Sequence, residues 1–161
     1  CFAGQAWEWD GVKFAMLHPP LDDYQYDGFK DNDRGCVLKI TSPFGSVLLP
    51  ADIERGSEQD LLERMPERLK ADVLVVPHHG SLTSSTEAFI DAVRPATAIF
   101  TVGYRNRFGH PKPEVVERYQ ARGIKIYRSD ESGALELHFG AGGLFLQSQR
   151  QLRQRYWLGY D

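Results

Sequence analysis

The segment "DVLVVPHHGSLTSSTEAF", Asp72 to Phe89, sets two adjacent histidines, His78 and His79, after an apolar run and a proline, and follows them with Gly80 and a series of hydroxyls that begins at Ser81. Two more groups sit in comparable places. Asp52 follows "VLLPA", and His110 lies in "FGHPKP" after "AIFTVGY". Imidazole and carboxylate are common protein donors to zinc and manganese. Ligands in layered α/β folds gather at the carboxyl ends of strands, so three segments that deliver Asp or His to one such rim would make a metal or hydrolytic site. Neighbours in an extended chain point to opposite sides. His78 and His79 therefore reach one ion only across a sharp turn, which Gly80 permits. One of the pair would bind while the other contacts substrate or orients a ligand.

Each residue taken alone has an ordinary reading. An aspartate after a strand is commonly a turn or cap residue, and a histidine before a proline a loop residue. Ser84 with Glu87 reads as a capping box. His18, before two prolines, reads as structural, His138 as water-facing and Asp72 as a cap. Arg105, Arg107 and Lys112 form one positive cluster and Arg150, Arg153 and Arg155 a second, and such sets are usually solvated faces. Joint placement at strand ends is what favours chemistry over these readings.

The elements that must position these groups follow from periodicity. "WDGVKFAML" (Trp9 to Leu17) predicts a strand with Val12, Phe14 and Met16 on one face. Residues 18–33 are a polar loop. "CVLKIT" and "SVLLP" predict a hairpin about "SPFG". A helix follows, with Ser57 as its cap, Leu61, Leu62 and Met65 as its apolar face and Pro66 near its end. "ADVLVV" and "ATAIFTV" are continuously apolar, as in strands covered on both faces. A helix carrying Phe89, Ile90 and Val93 lies between them, and another runs from Pro113 to Arg122 before Gly123. "IKIYRS" predicts a short strand and "GALELHF" with "GLFLQS" a closing hairpin, while "RQLRQRYW" is a short helix or a frayed end. Strands, then strand–helix units, then a hairpin imply a layered α/β architecture. One sheet face would carry the helices. The other would need a second sheet, for which this chain has few strands.

The totals set outer bounds. At 161 residues, 42% hydrophobic and 25% charged, the chain is one folded domain or part of a larger one. A net charge of -3 gives no global basic field for nucleic acid. No apolar run is long enough to cross a bilayer, and the opening "CFAGQAWEWDG" lacks signal-peptide character and reads as a start within a domain. Cys1 and Cys36 lack zinc spacing, and a bridge between them in an oxidising compartment and two unpaired thiols both stay open. No G-x-S-x-G occurs, which disfavours a serine nucleophile.

"LLPADIE", "ADVLVVPHHGSLTSSTEAFIDAVRPATAIFTVG", "GHP" and "IYRSDESGALEL", with "AGQAWEWDGVKFAMLHP" and "NDRGCVLKI" ahead of them, carry a specific resemblance. The chain resembles the carboxyl-terminal metallo-β-lactamase-like domain of the ComEC family of competence proteins, inner-membrane channels for DNA uptake. "VPHHGS" followed at this distance by "GHP" is the most specific part, and the resemblance runs through "RQRYW". It implies an αββα sandwich of two facing sheets flanked by helices, with residues 1–161 as its carboxyl-terminal portion. It implies a metal-dependent phosphodiester hydrolase that degrades the DNA strand not taken in. By motif, Asp52 would bridge two metal ions, zinc or manganese, with His78 as a further ligand. Asp52 and His110 would be catalytic, and His79, Ser81, Arg105 and Lys112 would line the substrate side. The helix near Ser85 would aim its amino end at a phosphate.

The chain departs from this pattern in one respect. The metal-binding run HxHxDH or HxDxDH is absent, and no stretch before Asp52 contains two histidines. The expectation is a chain that alone binds metal weakly and hydrolyses little. Its bare sheet face would pair with the missing amino-terminal half or with a second copy. Single-stranded DNA would be met through the full-length channel, with this domain on the periplasmic or outer side of an inner membrane. A non-catalytic binding or scaffold domain, and a metallohydrolase acting on another phosphoester or a thioester, are the alternatives.

Overall fold

The computed structural model describes residues 1–25, 28 and 30–152. Seven strands form one mixed sheet whose spatial order follows the chain: β1 (Ala6–Trp9), β2 (Val12–His18), β3 (Val37–Ser42), β4 (Gly45–Leu49), β5 (Val73–Val75), β6 (Thr97–Phe100) and β7 (Lys125–Arg128). β1 to β4 pair antiparallel and β4 to β7 parallel. The single strand expected over Trp9 to Leu17 is instead two. Asp10 and Gly11 take positive φ of 48° and 76° and form a two-residue turn that folds β1 back on β2. Asp-Gly is a favoured pair for such a turn.

Parallel neighbours need crossovers, supplied here by α1 (Arg55–Arg64), α2 (Pro66–Leu69), α3 (Glu87–Val93) and α4 (Pro113–Gln120). Right-handed crossovers between strands taken in order put all of these helices on one sheet face. The core lies there. Leu17, Val37, Leu48, Leu74, Ala98 and Phe100 from the strands cluster with Leu61, Leu69, Phe89, Ile90, Val93, Val115 and Tyr119 from the helices, all buried. Each large aliphatic or aromatic side chain so buried contributes about 1.5–3 kcal/mol.

Helix ends differ from the sequence expectation. Glu54, not Ser57, precedes α1, and Ser57 is buried inside its first turn. Pro66 lies just past the end of α1, as expected, and also opens α2, because a proline at a first helical position gives up no needed N–H. Thr86 caps α3, its hydroxyl accepting from Phe89 N–H at 3.4 Å. The Ser84 hydroxyl instead donates to the Pro77 carbonyl at 2.9 Å, so the Ser84–Glu87 capping box does not form.

Across the sheet from the helices, Trp7, Phe14, Ile40 and Val47 are successive cross-strand partners. The Trp7 and Phe14 rings stack at 5.0 Å, yet none of the four is buried. A separate hairpin, β8 (Leu135–Gly140) and β9 (Gly143–Ser148), covers only part of this side. It follows α5 (Ser129–Ser132) and leads into α6 (Gln149–Leu152). Phe139 of β8 packs on Gly45, where an added Cβ would come within 2.5 Å of the ring. Phe139, Phe44, Ile40 and Val47 line a cavity of about 430 Å³. The result is an α/β fold with helices on one face and a largely open apolar surface on the other.

A disulfide joins Cys1 to Cys36, with Cα atoms 6.1 Å apart, and ties the start of the chain to β3. His18 is buried and bonded to the Asp33 carbonyl, and His138 is exposed. Arg153, Arg155 and most of "RQLRQRYW" lie outside the described residues. No described helix is long and apolar enough to cross a membrane.

Candidate functional site

Backbone hydrogen bonds weld three strand exits into one rim. The His78 N–H donates to the Ala51 carbonyl at 3.1 Å, joining the segment after β4 to the one after β5. The Lys112 N–H donates to the Gly80 carbonyl at 3.0 Å, joining the second to the loop after β6. Gly80 is buried at this junction with φ of 81°, and an added Cβ would come within 2.8 Å of both Phe100 and Pro111.

The turn itself is made by the histidines as well as by Gly80. His78 (φ 48°, ψ 40°) and His79 (φ 56°, ψ 18°) are both left-handed. Each such residue costs roughly 1–2 kcal/mol, which the rim hydrogen bonds and the Gly80 packing must offset. The consequence is that the two imidazoles part and meet different carboxylates.

His79 Nδ1 lies 2.6 Å from the Thr101 carbonyl oxygen. A carbonyl only accepts, so Nδ1 carries the hydrogen and Nε2 is the lone-pair nitrogen. That nitrogen stands 3.4 Å from Asp52 Oδ1, with both side chains about half exposed. Two acceptors thus face one another, an arrangement that a proton or a cation between them satisfies. Two ligand atoms at about 2.0–2.1 Å from one tetrahedral zinc would be separated by about 3.3 Å.

His78 is held in a similar way. Thr83 Oγ1 donates to Glu54 Oε1 at 3.0 Å and accepts from His78 Nδ1 at 3.2 Å, while Glu54 Oε1 is itself 3.5 Å from that nitrogen. His78 too therefore presents Nε2. Ser81 is buried, its hydroxyl 3.0 Å from Thr83 Oγ1, so it sits behind His78 within the turn. The His110 ring centre is 6.1 Å from that of His78. His110 Nδ1 is buried without a hydrogen-bond partner among the described residues. Burial holds the His110 imidazole below the usual histidine range, and Lys112, His78 and His79 push the same way against Asp52. Arg105 and Lys112 share the loop of His110. Arg105 lies over the Tyr104 ring at 5.2 Å, and Lys112 Nζ donates to the Phe108 carbonyl at 2.9 Å.

Among the described residues no group of three or more His, Cys, Asp or Glu is placed to hold a metal ion. Asp52 and His79 fit zinc or manganese in donor type, tautomer and separation, but not in number, since a closed site needs about four donors.

Sequence reasoning missed the residues that support the rim: Glu54, Thr83, Thr101 and Glu58. Glu58 is wholly buried, and its carboxylate accepts from the Ser85 N–H at 2.5 Å and the Thr86 N–H at 2.8 Å. Arg118 donates to the Ser84 and Ser85 carbonyls, and the Tyr119 hydroxyl to Ser85 Oγ. The Ser85 and Thr86 N–H groups ahead of α3 are thus taken by Glu58, which sets a carboxylate at the helix end that the sequence expectation aimed at a phosphate. A signal for Glu58 did exist. It falls at helical spacing with Leu61, Leu62 and Met65, a charge in the apolar stripe of α1.

No protein-family model matches the chain. It is 38% identical to Competence protein ComA of Neisseria gonorrhoeae over 155 residues, covering 96% of this chain and 22% of that protein. The chain is a relative of competence proteins. It is also 34% identical to ComE operon protein 3 of Bacillus subtilis, over 80% of this chain and 16% of that protein. With Recombination protein 2 of Haemophilus influenzae it shares 33% identity, over 93% of this chain and 18% of that protein. The chain therefore spans about a fifth of the length of these relatives.

Proposed function

We propose that this chain is part of a metallo-β-lactamase-like, divalent-metal phosphodiesterase domain in a membrane-embedded DNA-uptake protein, and that the domain degrades the strand that is not transported. The observation that carries the reading is the Asp52–His79 pair, whose tautomer is fixed by Thr101 so that a nitrogen lone pair and a carboxylate oxygen converge at 3.4 Å. Asp52 and His79 would hold zinc or manganese, and the remaining donors would come from outside the described residues. A bound divalent ion supplies an activated water and offsets charge on phosphate oxygens.

The other residues act around that centre. Glu54 and Thr83 orient His78 so that its Nε2 is available to the ion or to substrate. Ser81 braces Thr83. Neutral His110 contacts the phosphodiester, and Arg105 and Lys112 balance its charge. A second sheet would cover the Trp7–Phe14–Ile40–Val47 face and carry the missing donors, which is the sandwich reading of the fold. Without it this chain alone would hydrolyse little. The disulfide supports placement outside the cytoplasm.

Calorimetric titration with zinc and manganese tests the site directly. Asp52→Ala and His79→Ala should each lower affinity at least about ten-fold and abolish manganese-dependent cleavage of single-stranded DNA by the longer protein. Unchanged affinity and cleavage in both variants would reduce the chain to a non-catalytic scaffold. Cleavage of a thioester or another phosphoester, with DNA left intact, would change the substrate instead.

A further inference from the structure

The loop after β6 carries a feature that the Asp52–His79 site does not use. Residues 103–112, "GYRNRFGHPK", contain three cations and no carboxylate. Among the described residues Arg105, Arg107 and Lys112 make no ion pair. Their charge is left to an outside partner. Two aromatic rings are offered beside them. Tyr104 is 69% and Phe108 61% exposed, a large apolar outlay for a loop unless something lies on it. Each ring has a guanidinium over it, Arg105 on Tyr104 at 5.2 Å and Arg107 on Phe108 at 4.9 Å.

The loop is preorganised. The Asn106 side chain spans it, accepting from the His110 N–H at 2.9 Å and donating to the His110 carbonyl at 2.7 Å. Lys112 Nζ closes the other side on the Phe108 carbonyl. The backbone that carries the two rings is thus ordered before binding, which lowers the cost of binding. They also lead to the rim, since Phe108 stacks on His110 at 6.1 Å and 15°, and His110 neighbours His78.

We propose that this loop is a base-stacking platform for single-stranded nucleic acid, on which Tyr104 and Phe108 each stack one base as Arg105 and Arg107 swing from the ring faces to the flanking phosphates, which Lys112 also meets. The inference rests on the phosphodiesterase reading for the direction of the strand, toward His110, but not for the stacking itself. Exposed rings alternating with unpaired cations match the way proteins hold unpaired strands without reading sequence, because every base has a flat face. A duplex hides those faces and offers phosphates alone. The same residue types also suit an anionic membrane surface, but continuity with the His110 rim favours the strand.

The test is anisotropy of a labelled oligothymidylate titrated with this chain in the presence of chelator, so that no metal chemistry enters. The comparison probes are an abasic deoxyribose-phosphate oligomer of equal length and vesicles of anionic phospholipid. Tyr104→Ala and Phe108→Ala should each weaken oligothymidylate binding about ten-fold while leaving the abasic probe nearly unchanged. Tyr104→Phe and Phe108→Tyr should bind as the unaltered chain does. Arg107→Ala should weaken both probes and flatten the salt dependence. Equal loss on both probes in the aromatic variants, or no loss, would overturn the platform, as would binding to vesicles with none to the oligomer. Metal-dependent cleavage is read separately. Its absence in the longer protein, with stacking intact, would count against the phosphodiesterase reading and leave the platform standing.

Discussion

At the scale of single residues, the site depends on three consecutive left-handed positions, two of them occupied by histidines that would not choose that conformation. Gly80 makes the arrangement affordable, since it alone lets the Phe100 ring and Pro111 close onto the backbone. Gly80→Ala adds both left-handed strain and a Cβ with no space. It should cost about 2–4 kcal/mol in urea unfolding and weaken metal affinity along with stability. A loss below about 0.5 kcal/mol would mean the junction is not packed as described. Asp52, His78, His79 and His110 were legible in the sequence from residue type and from their position after apolar runs. Their directions were not. Which imidazole turns to Asp52 follows from φ and ψ at His78 and His79, and from a carbonyl on a neighbouring strand. Neither leaves a mark on residue identity.

At the scale of elements, the turn is propped from behind by α1 and α4 through Glu58, Arg118 and Tyr119. Burial raises the Glu58 carboxyl above its ordinary 4.5, outweighing its hydrogen bonds to Thr86 and Ser85 and the nearby Arg118. The folded chain therefore holds this proton more tightly than the unfolded chain does. The group's contribution is fully present below about pH 4.5 and is lost as pH rises through the elevated value. Glu58→Gln removes that titration, so its melting temperature relative to the unaltered chain should climb between pH 4.5 and neutrality in thermal melts followed by circular dichroism. A constant difference across that range would uncouple Glu58 from the pH dependence of folding. The elements themselves were largely visible in advance, because continuous apolar runs and 3.6-residue spacing survive folding. The misreadings came where two local signals competed. The Asp10-Gly11 turn sat inside an apolar strand pattern, and the Ser84 hydroxyl donates to the Pro77 carbonyl in place of accepting from a helix N–H.

At the scale of the whole molecule, the disulfide and the open sheet face dominate. Closing the 35-residue separation between Cys1 and Cys36 constrains the unfolded chain, and its reduction should lower stability by about 3–4 kcal/mol in denaturant titrations. The apolar face opposite the helices should drive self-association of the isolated chain, seen as a concentration-dependent sedimentation coefficient. Ile40→Lys, placed at its centre, should remove that dependence. The layered α/β plan could be read from the order of strands and helices, and so could the shortage of strands for a second layer. The pattern of Trp7, Phe14, Ile40 and Val47 marks the open layer as apolar but carries no sign of what covers it.

The position of Trp7 gives that surface a built-in optical gauge. It stands two residues from Trp9 on the same side of β1, against Phe14, and these two are the tryptophans among the described residues. Anything dry that settles over the sheet should shift indole emission toward the blue and shield it from iodide. A strand or ion arriving at the rim should leave it dark to both, so one cuvette can tell which side of the molecule has found its companion.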